Sequence, residues 1–214
     1  MRLFFYLFIF LIPIKSYAHT FTGMVGFFDG ISHPVLGLDH FIAMVSVGII
    51  SAQIGGRAIW TIPSTFILLM IVGGSLGIYI ENQQLLTSVN LFEISKIKIL
   101  EETVYLFIEI GILISVISLG LVITIEKNLP FKFTIIFICF FGFCHGSAHG
   151  LEMPRAFNPL LFALGFSSGS AILHLFGVVI GYLSNRKKTT SIILRSAGFL
   201  FVVFGFYKLT FLFL

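Results

Sequence analysis

The chain has 214 residues, 57% of them hydrophobic and only 10% charged, where a soluble domain carries about 25% charged residues. Its mean hydropathy of +1.08 excludes an ordinary soluble protein, because most of the surface must face lipid. The net charge of +4 rests on few groups and informs by position more than by sum; a lipid bilayer is the expected surrounding and no nucleic-acid partner is expected.

In chain order, the first element is residues 1–18. Arg2 supplies a short positive region, "LFFYLFIFLIPI" an apolar run, and "SYA" small residues at the −3 and −1 positions of a cleavage site. This pattern predicts a secretory signal peptide cut after Ala18. The remainder, 19–214, is one integral membrane domain. Cleavage makes His19 the new N-terminus, with an amine and an imidazole that can both take a metal.

Spanning helices need about 20 apolar residues. Six such runs follow, at roughly 34–53, 58–80, 101–125, 133–152, 159–184 and 191–213. They are long and continuous, without period-2 alternation, so helices and not a barrel are predicted. The expected fold is all-α, a polytopic membrane bundle of about six transmembrane helices. Residues 81–100 form the one long break, with mixed charge, and are expected to make a short amphipathic surface element. A cleaved signal leaves the mature N-terminus outside. The inner breaks then hold Arg57, Lys127, Lys132, Arg186, Lys187, Lys188 and Arg195, against Lys96, Lys98, Arg155 and Lys208 outside. Lysine and arginine favour the inner side, so the charge distribution agrees with the signal-peptide reading; the expected location is the bacterial inner membrane. Cys139 and Cys144 lie about 140° apart around one helix and do not pair with each other; they read as small core residues.

Ionisable groups inside spans are costly and usually functional. Glu101 and Glu102, at a span end, read as a solvated helix start. The first cluster is "SHPVLGLDHFIAM", 32–44. Pro34 suits the first helical position. His33 and His40 are seven apart and share a face if one helix reaches both. Asp39 either ligates directly or holds an imidazole N–H and fixes its tautomer. Met44 lies one turn past His40 and reads as a core residue. The second cluster is "FCHGSAHGLEMP", 143–154. His145 and His149, at i and i+4, have a metal-chelating geometry. Glu152 extends their ridge, as a ligand or as a gate at the mouth. Gly142, Gly146 and Gly150 recur on an adjoining face and admit a close neighbouring helix, expected to be the first span. The inferred orientation puts both clusters, and Glu109, in the outer half of the membrane. His174, midway or deeper, is a relay for the ion or protons, or else a packing histidine.

These residues carry a resemblance that covers nearly the whole chain. "HPVLGLDHFIAM" (33–44), "AQIGGRAIW" (52–60), "EIGILIS" (109–115), "HGSAHGLEMP" (145–154) and "AILHLFG" (171–177) are similar to motifs of the HupE/UreJ family. The family is implicated in nickel uptake for hydrogenase and urease, with some members linked to cobalt. The resemblance implies metal-site positions at His33, Asp39, His40, His145, His149 and Glu152, with Glu109 and His174 as intramembrane polar positions. The polar 81–100 segment departs from the family pattern.

Imidazole with carboxylate suits Ni²⁺, Co²⁺, Zn²⁺ or Cu²⁺, and ligand type does not choose among them. Cys144 and Met44 keep copper(I) open. No prosthetic group is expected; the metal is cargo. No phosphate-binding glycine loop stands in the sequence, so nucleotide hydrolysis is not expected. The membrane potential supplies about 2.3 kcal/mol per charge per 100 mV, or ~4.6 kcal/mol for a dication, which supports roughly a 10³-fold accumulation. Expected partners are the divalent ion, a second copy of the chain, and metalloenzyme-maturation proteins. Two rival functions stand beside transport. One is a membrane accessory that binds metal without flux. The other is an intramembrane serine hydrolase, for which "GFSSG" (165–169) matches G-x-S-x-G in letters but requires a strand–turn–helix elbow.

Overall fold

The computed structural model describes residues 26–87, 91–125, 130–152, 158–184 and 186–213. Among them are seven helices and no strand: α1 (Phe27–Leu36), α2 (Leu38–Ile54), α3 (Ala58–Thr87), α4 (Leu91–Ile125), α5 (Phe131–Glu152), α6 (Pro159–Ser184) and α7 (Lys188–Leu212). The expected signal peptide and His19 fall outside the described residues. Helices α3 to α7 each hold a stretch long and apolar enough to cross a membrane; α1 and α2 pass that test only together, as a span bent by 85°. The chain is therefore an all-α, multi-pass membrane protein, the architecture that lets a spanning backbone bond within its own segment, as lipid requires.

The bent span corrects one expectation. A single straight helix from Pro34 is not formed. Helix α1 begins earlier, at Phe27, and Pro34 lies inside it. Proline has no N–H for the preceding turn and crowds it, and the helix ends within one turn. Gly37 then takes an extended conformation (φ −79°, ψ 107°) between the two helices. Its N–H still bonds the His33 carbonyl at 3.1 Å, and its carbonyl accepts from the Phe41 N–H at 2.8 Å. The chain turns sharply with its backbone groups satisfied. At the far end of α2, Gly55 and Gly56 have φ of 77° and 56°. That left-handed pair is favourable only for glycine and turns the chain into α3.

Helix packing is organised by glycines. Lipid gives no hydrophobic drive between helices, so association relies on close contact through small residues. A Cβ at Gly142, Gly146 or Gly150 of α5 would meet the carbonyls of Phe66, Met70 and Gly74 on α3. The ridge beside the second histidine cluster therefore seats α3, and not the first span as expected. The backbone of α3 replies with Gly73 and Gly77 against Phe143 and Ser147, and the two helices run parallel. Helix α6 forms a second such unit. Its first half packs on α1, through Gly165 and Gly169, and its second half runs parallel to α2, through Gly177 and Gly181. Helices α4 and α7 make the third pair, antiparallel, crossing at Gly120 and Gly198. Arg195 of α7 donates from Nε to the Thr124 carbonyl at 2.9 Å, placing a cation at the C-terminal, negative end of α4.

The expected surface element at 81–100 is also revised. Helix α3 continues to Thr87 and α4 starts at Leu91, so most of the segment prolongs two long helices. Glu81 is buried as a result, with 4% exposure.

Candidate metal site

Six of the charged or imidazole groups singled out in the sequence are buried: His33, Asp39, His40, His145, His149 and His174. They come from α1, α2, α5 and α6. The bend at Gly37 brings His33 over His40, with ring centroids 6.2 Å apart. His33 lies edge-on to His149 at 4.7 Å, and is flanked by Phe162 and Phe166 of α6 at 5.6 and 5.8 Å. His40 stacks obliquely on His149 at 4.6 Å and meets His145 at 5.3 Å. The order along the cluster is His33, His149, His40, His145.

Hydrogen bonds fix how these rings present themselves. His40 Nδ1 stands 2.8 Å from Asp39 Oδ1. A carboxylate only accepts, so Nδ1 carries the proton and Nε2 of the neutral ring presents a lone pair. Asp39 sits in the first turn of α2, where the helix dipole favours a negative charge, and its Oδ1 also accepts from the His40 backbone N–H at 2.9 Å. Gly37 makes this fold-back feasible, because a Cβ there would lie 3.1 Å from His40 Nδ1. His145 Nδ1 donates to the Phe141 carbonyl at 2.9 Å, and His174 Nδ1 to the Met44 carbonyl at 2.8 Å. All three rings are thus held in the tautomer that leaves Nε2 as a donor atom for a metal.

The Nε2 atoms of His40 and His149 face each other at 2.7 Å. Since His40 Nε2 accepts, His149 Nε2 donates. Zinc-type ligation places each imidazole nitrogen about 2.0–2.1 Å from the ion, hence two nitrogens on one tetrahedral ion roughly 3.3 Å apart. The rings need to part by only a fraction of an ångström to admit an ion between them. Among the described residues, no three His, Cys, Asp or Glu groups converge on one point as a finished cage. The arrangement is a row of donors and not a closed structural site. His145 Nε2 and His174 Nε2 are buried with no hydrogen-bond partner within the protein, a state that native structures avoid without a reason.

His174 stands apart from the other rings. Phe66 of α3 lies between, with its ring 5.5 Å from His145 and 5.2 Å from His174, and is itself fully buried. On the other side of the cluster, a cavity of ≈ 360 Å³ between α3 and α6 reaches His149, Gly146, Met70, Phe166 and Ser167. Glu152 is the last residue of α5, and its side chain falls outside the described residues. Glu109 is half-buried on α4, outside the four helices that carry the imidazoles. Cys144 is buried and packs against the backbone at Gly111, on a different face from the rings' contacts. Four positions escaped the sequence reasoning. Phe66, Phe162 and Phe166 wall the cluster but look like any of 27 phenylalanines. Glu81 falls in the segment expected at the surface, yet the apolar run before it is unbroken and carries it inside.

A family model described as HupE / UreJ protein matches residues 7–85 and 85–208. The chain belongs to the HupE/UreJ family. Protein HupE of Rhizobium leguminosarum bv. viciae is 32% identical over 188 residues, covering 87% of this chain and 86% of that protein. No solved structure matches. The histidine row therefore belongs to a HupE/UreJ protein, and the "GFSSG" segment of this HupE/UreJ chain lies inside continuous helix α6, without the elbow that a serine hydrolase of that pattern needs.

Proposed function

We propose that this protein carries a divalent transition metal, nickel first and cobalt next, inward across the bacterial inner membrane without nucleotide hydrolysis. Membership of the HupE/UreJ family, associated with nickel or cobalt uptake or an accessory role, supports the class of cargo. The observation that carries the reading is the opposed pair of His40 Nε2 and His149 Nε2, 2.7 Å apart on two different spans and buried. A hydrated ion loses part of its water and takes both nitrogens. His145 and His33 stand next in line, and Asp39 holds His40 in the ligating tautomer. Because His149 Nε2 carries the proton in the free pair, the ion takes that nitrogen once the ring's single proton has moved to Nδ1, a change of tautomer with no net proton released. Two imidazoles with open coordination positions suit an ion that must leave again. Glu152 and Glu109 are the proposed carboxylates at the mouth and beside the path, and His174 the next donor inward beyond Phe66.

The test is radiolabelled nickel uptake in cells lacking other importers, with His40→Ala and His149→Ala. Each variant is expected to lose most uptake while still reaching the membrane. Unchanged uptake in both overturns the proposal. The ring of Phe66 closing the way between His145 and His174 favours, as second reading, an accessory that holds metal without passing it. Purified protein in liposomes separates the two: binding without accumulation supports the accessory.

A further inference from the structure

The contacts of α3 and α5 repeat those of α6 and α2, residue for residue. On α6, Gly177 and Gly181 seat on the carbonyls of Val45 and Ile49 of α2; on α3, Gly73 and Gly77 seat on those of Phe143 and Ser147 of α5. In return, Gly48 of α2 seats on the His174 carbonyl, and Gly146 of α5 on that of Met70. One constant offset along the chain takes every α3 residue to its α6 mate, and a second takes every α2 residue to its α5 mate. The mates are Gly73 with Gly177, Gly77 with Gly181, Met70 with His174, Gly48 with Gly146.

A different kind of contact obeys the same correspondence. Helices α3 and α6 touch across the seam between the two units. Ser170 Oγ approaches Met70 Sδ at 3.9 Å, and Phe66 packs on His174 at 5.2 Å. By the α3–α6 offset, Ser170 is the mate of Phe66 and Met70 the mate of His174, so each contact is the image of the other. The third pair maps onto itself. Gly120 meets Gly198 and Val202, while Gly198 meets Gly120 and Thr124. Since each half holds three spans, mates run in opposite directions through the membrane.

We infer that the chain is an inverted repeat of three spans and three spans, and that the cavity now reaching His149 has an image on the opposite side of the membrane, centred on His174. Repeats of this kind bind cargo at the repeat interface and expose it alternately by moving one unit against the other. This inference rests on the transport reading. Its physical content is the contrast between tight and loose seams. Within each unit the helices touch backbone to backbone through glycine; between the units they meet through side chains, with the imidazoles and Phe66 in the gap. The unit of α1, α2 and α6 carries His33, Asp39, His40 and His174; that of α3 and α5 carries His145, His149 and Phe66. The present cavity is lined by His149, Gly146, Phe166 and Ser167. Their mates are Ser51, Gly48, Ile62 and Pro63. On the image side, Ser51 and Ile62 are fully buried in this arrangement. His174 Nε2, buried and without a partner, is the donor that opening of that side would expose.

The test uses the full chain with Cys139→Ala and Cys144→Ala, reconstituted in vesicles, and a membrane-impermeant maleimide applied to one face at a time. Single cysteines report each side: Ser167→Cys on the present cavity, Ser51→Cys and the deeper Val47→Cys, the mate of His145, on its image. Ser167→Cys is expected to label from one face only and Val47→Cys from the opposite face only. Titrating Ni²⁺ is expected to change the two labelling rates in opposite directions, by at least ~3-fold. Val47→Cys and Ser51→Cys both staying unlabelled from the opposite face, in folded protein and at every Ni²⁺ concentration, would overturn the repeat. So would rates that rise and fall together. Labelling does not depend on net flux, so an uptake assay on the parent that fails alone counts against the transport reading and not against the repeat.

Discussion

His40 and His149 are 109 residues apart in the chain, and their Nε2 atoms face each other at 2.7 Å. Each sits on a different span, and neither span packs backbone to backbone with the other. The pair exists because two glycine-locked units place their imidazoles across one gap. Predictions that probe the pair must therefore separate effects on the rings from effects on the locks.

Asp39 acts on His40 through one hydrogen bond to Nδ1. Asp39→Ala frees that nitrogen and is expected to weaken nickel affinity by about 10–100-fold, the usual cost of losing the partner that orients a ligand imidazole. Asp39→Asn keeps an oxygen that accepts the same proton and should lose less. Isothermal titration of the purified protein checks the order; equal losses would show that the charge of Asp39 matters and its hydrogen bond does not.

Gly37 leaves room for the His40 ring. Gly37→Ala puts a Cβ 3.1 Å from Nδ1, so the ring or the bend must shift by a few tenths of an ångström. Gly37→Val should shift it further. The expected result is a graded rise in the nickel concentration giving half-maximal uptake, with membrane levels unchanged. A flat series would mean the bend tolerates the displacement.

Gly146 and Gly74 face each other's helices unequally. A Cβ at Gly146 falls on the Met70 carbonyl, while one at Gly74 stands 3.4 Å from its nearest neighbour. Gly146→Ala is expected to destabilise the fold by about 1–3 kcal/mol, the range for overpacking a filled contact. Gly74→Ala should remain within ~1 kcal/mol of the parent. Unfolding in detergent, followed by circular dichroism, compares them.

Ser167 lines the cavity next to His149 but lies in the middle of a helix. Ser167→Ala is expected to leave nickel uptake within about twofold of the parent, since a small residue replaces a small residue at a packing position. Loss of a proteolytic activity with uptake intact would instead revive the hydrolase alternative.

The sequence announced the histidines by cost. An imidazole or carboxylate inside an apolar run is expensive, so His40, His145, His149 and His174 stood out without any structure. The i, i+4 spacing of His145 and His149 put them on one face. The glycines beside them announced a close neighbour but not which one, because a small-residue ridge accepts any helix that offers a matching backbone. Gly73 and Gly77 carry the complementary spacing on α3, and matching those two patterns is the signal that names the partner. Phe66 had no such signal. One phenylalanine among many becomes a barrier only through what stands on either side of it.

Composition and hydropathy by themselves determined an all-α membrane bundle, since a chain this apolar must satisfy its backbone within helices. Residue type determined which side chains are able to meet a metal. Tertiary structure alone decided that the first span breaks at Gly37, because a proline and a glycine three residues apart permit a bend without dictating its angle. It also decided which imidazoles face each other and which stands behind Phe66. Those relations depend on pairing between helices distant in sequence, and side-chain periodicity fixes a face of one helix but never the identity of the helix opposite it.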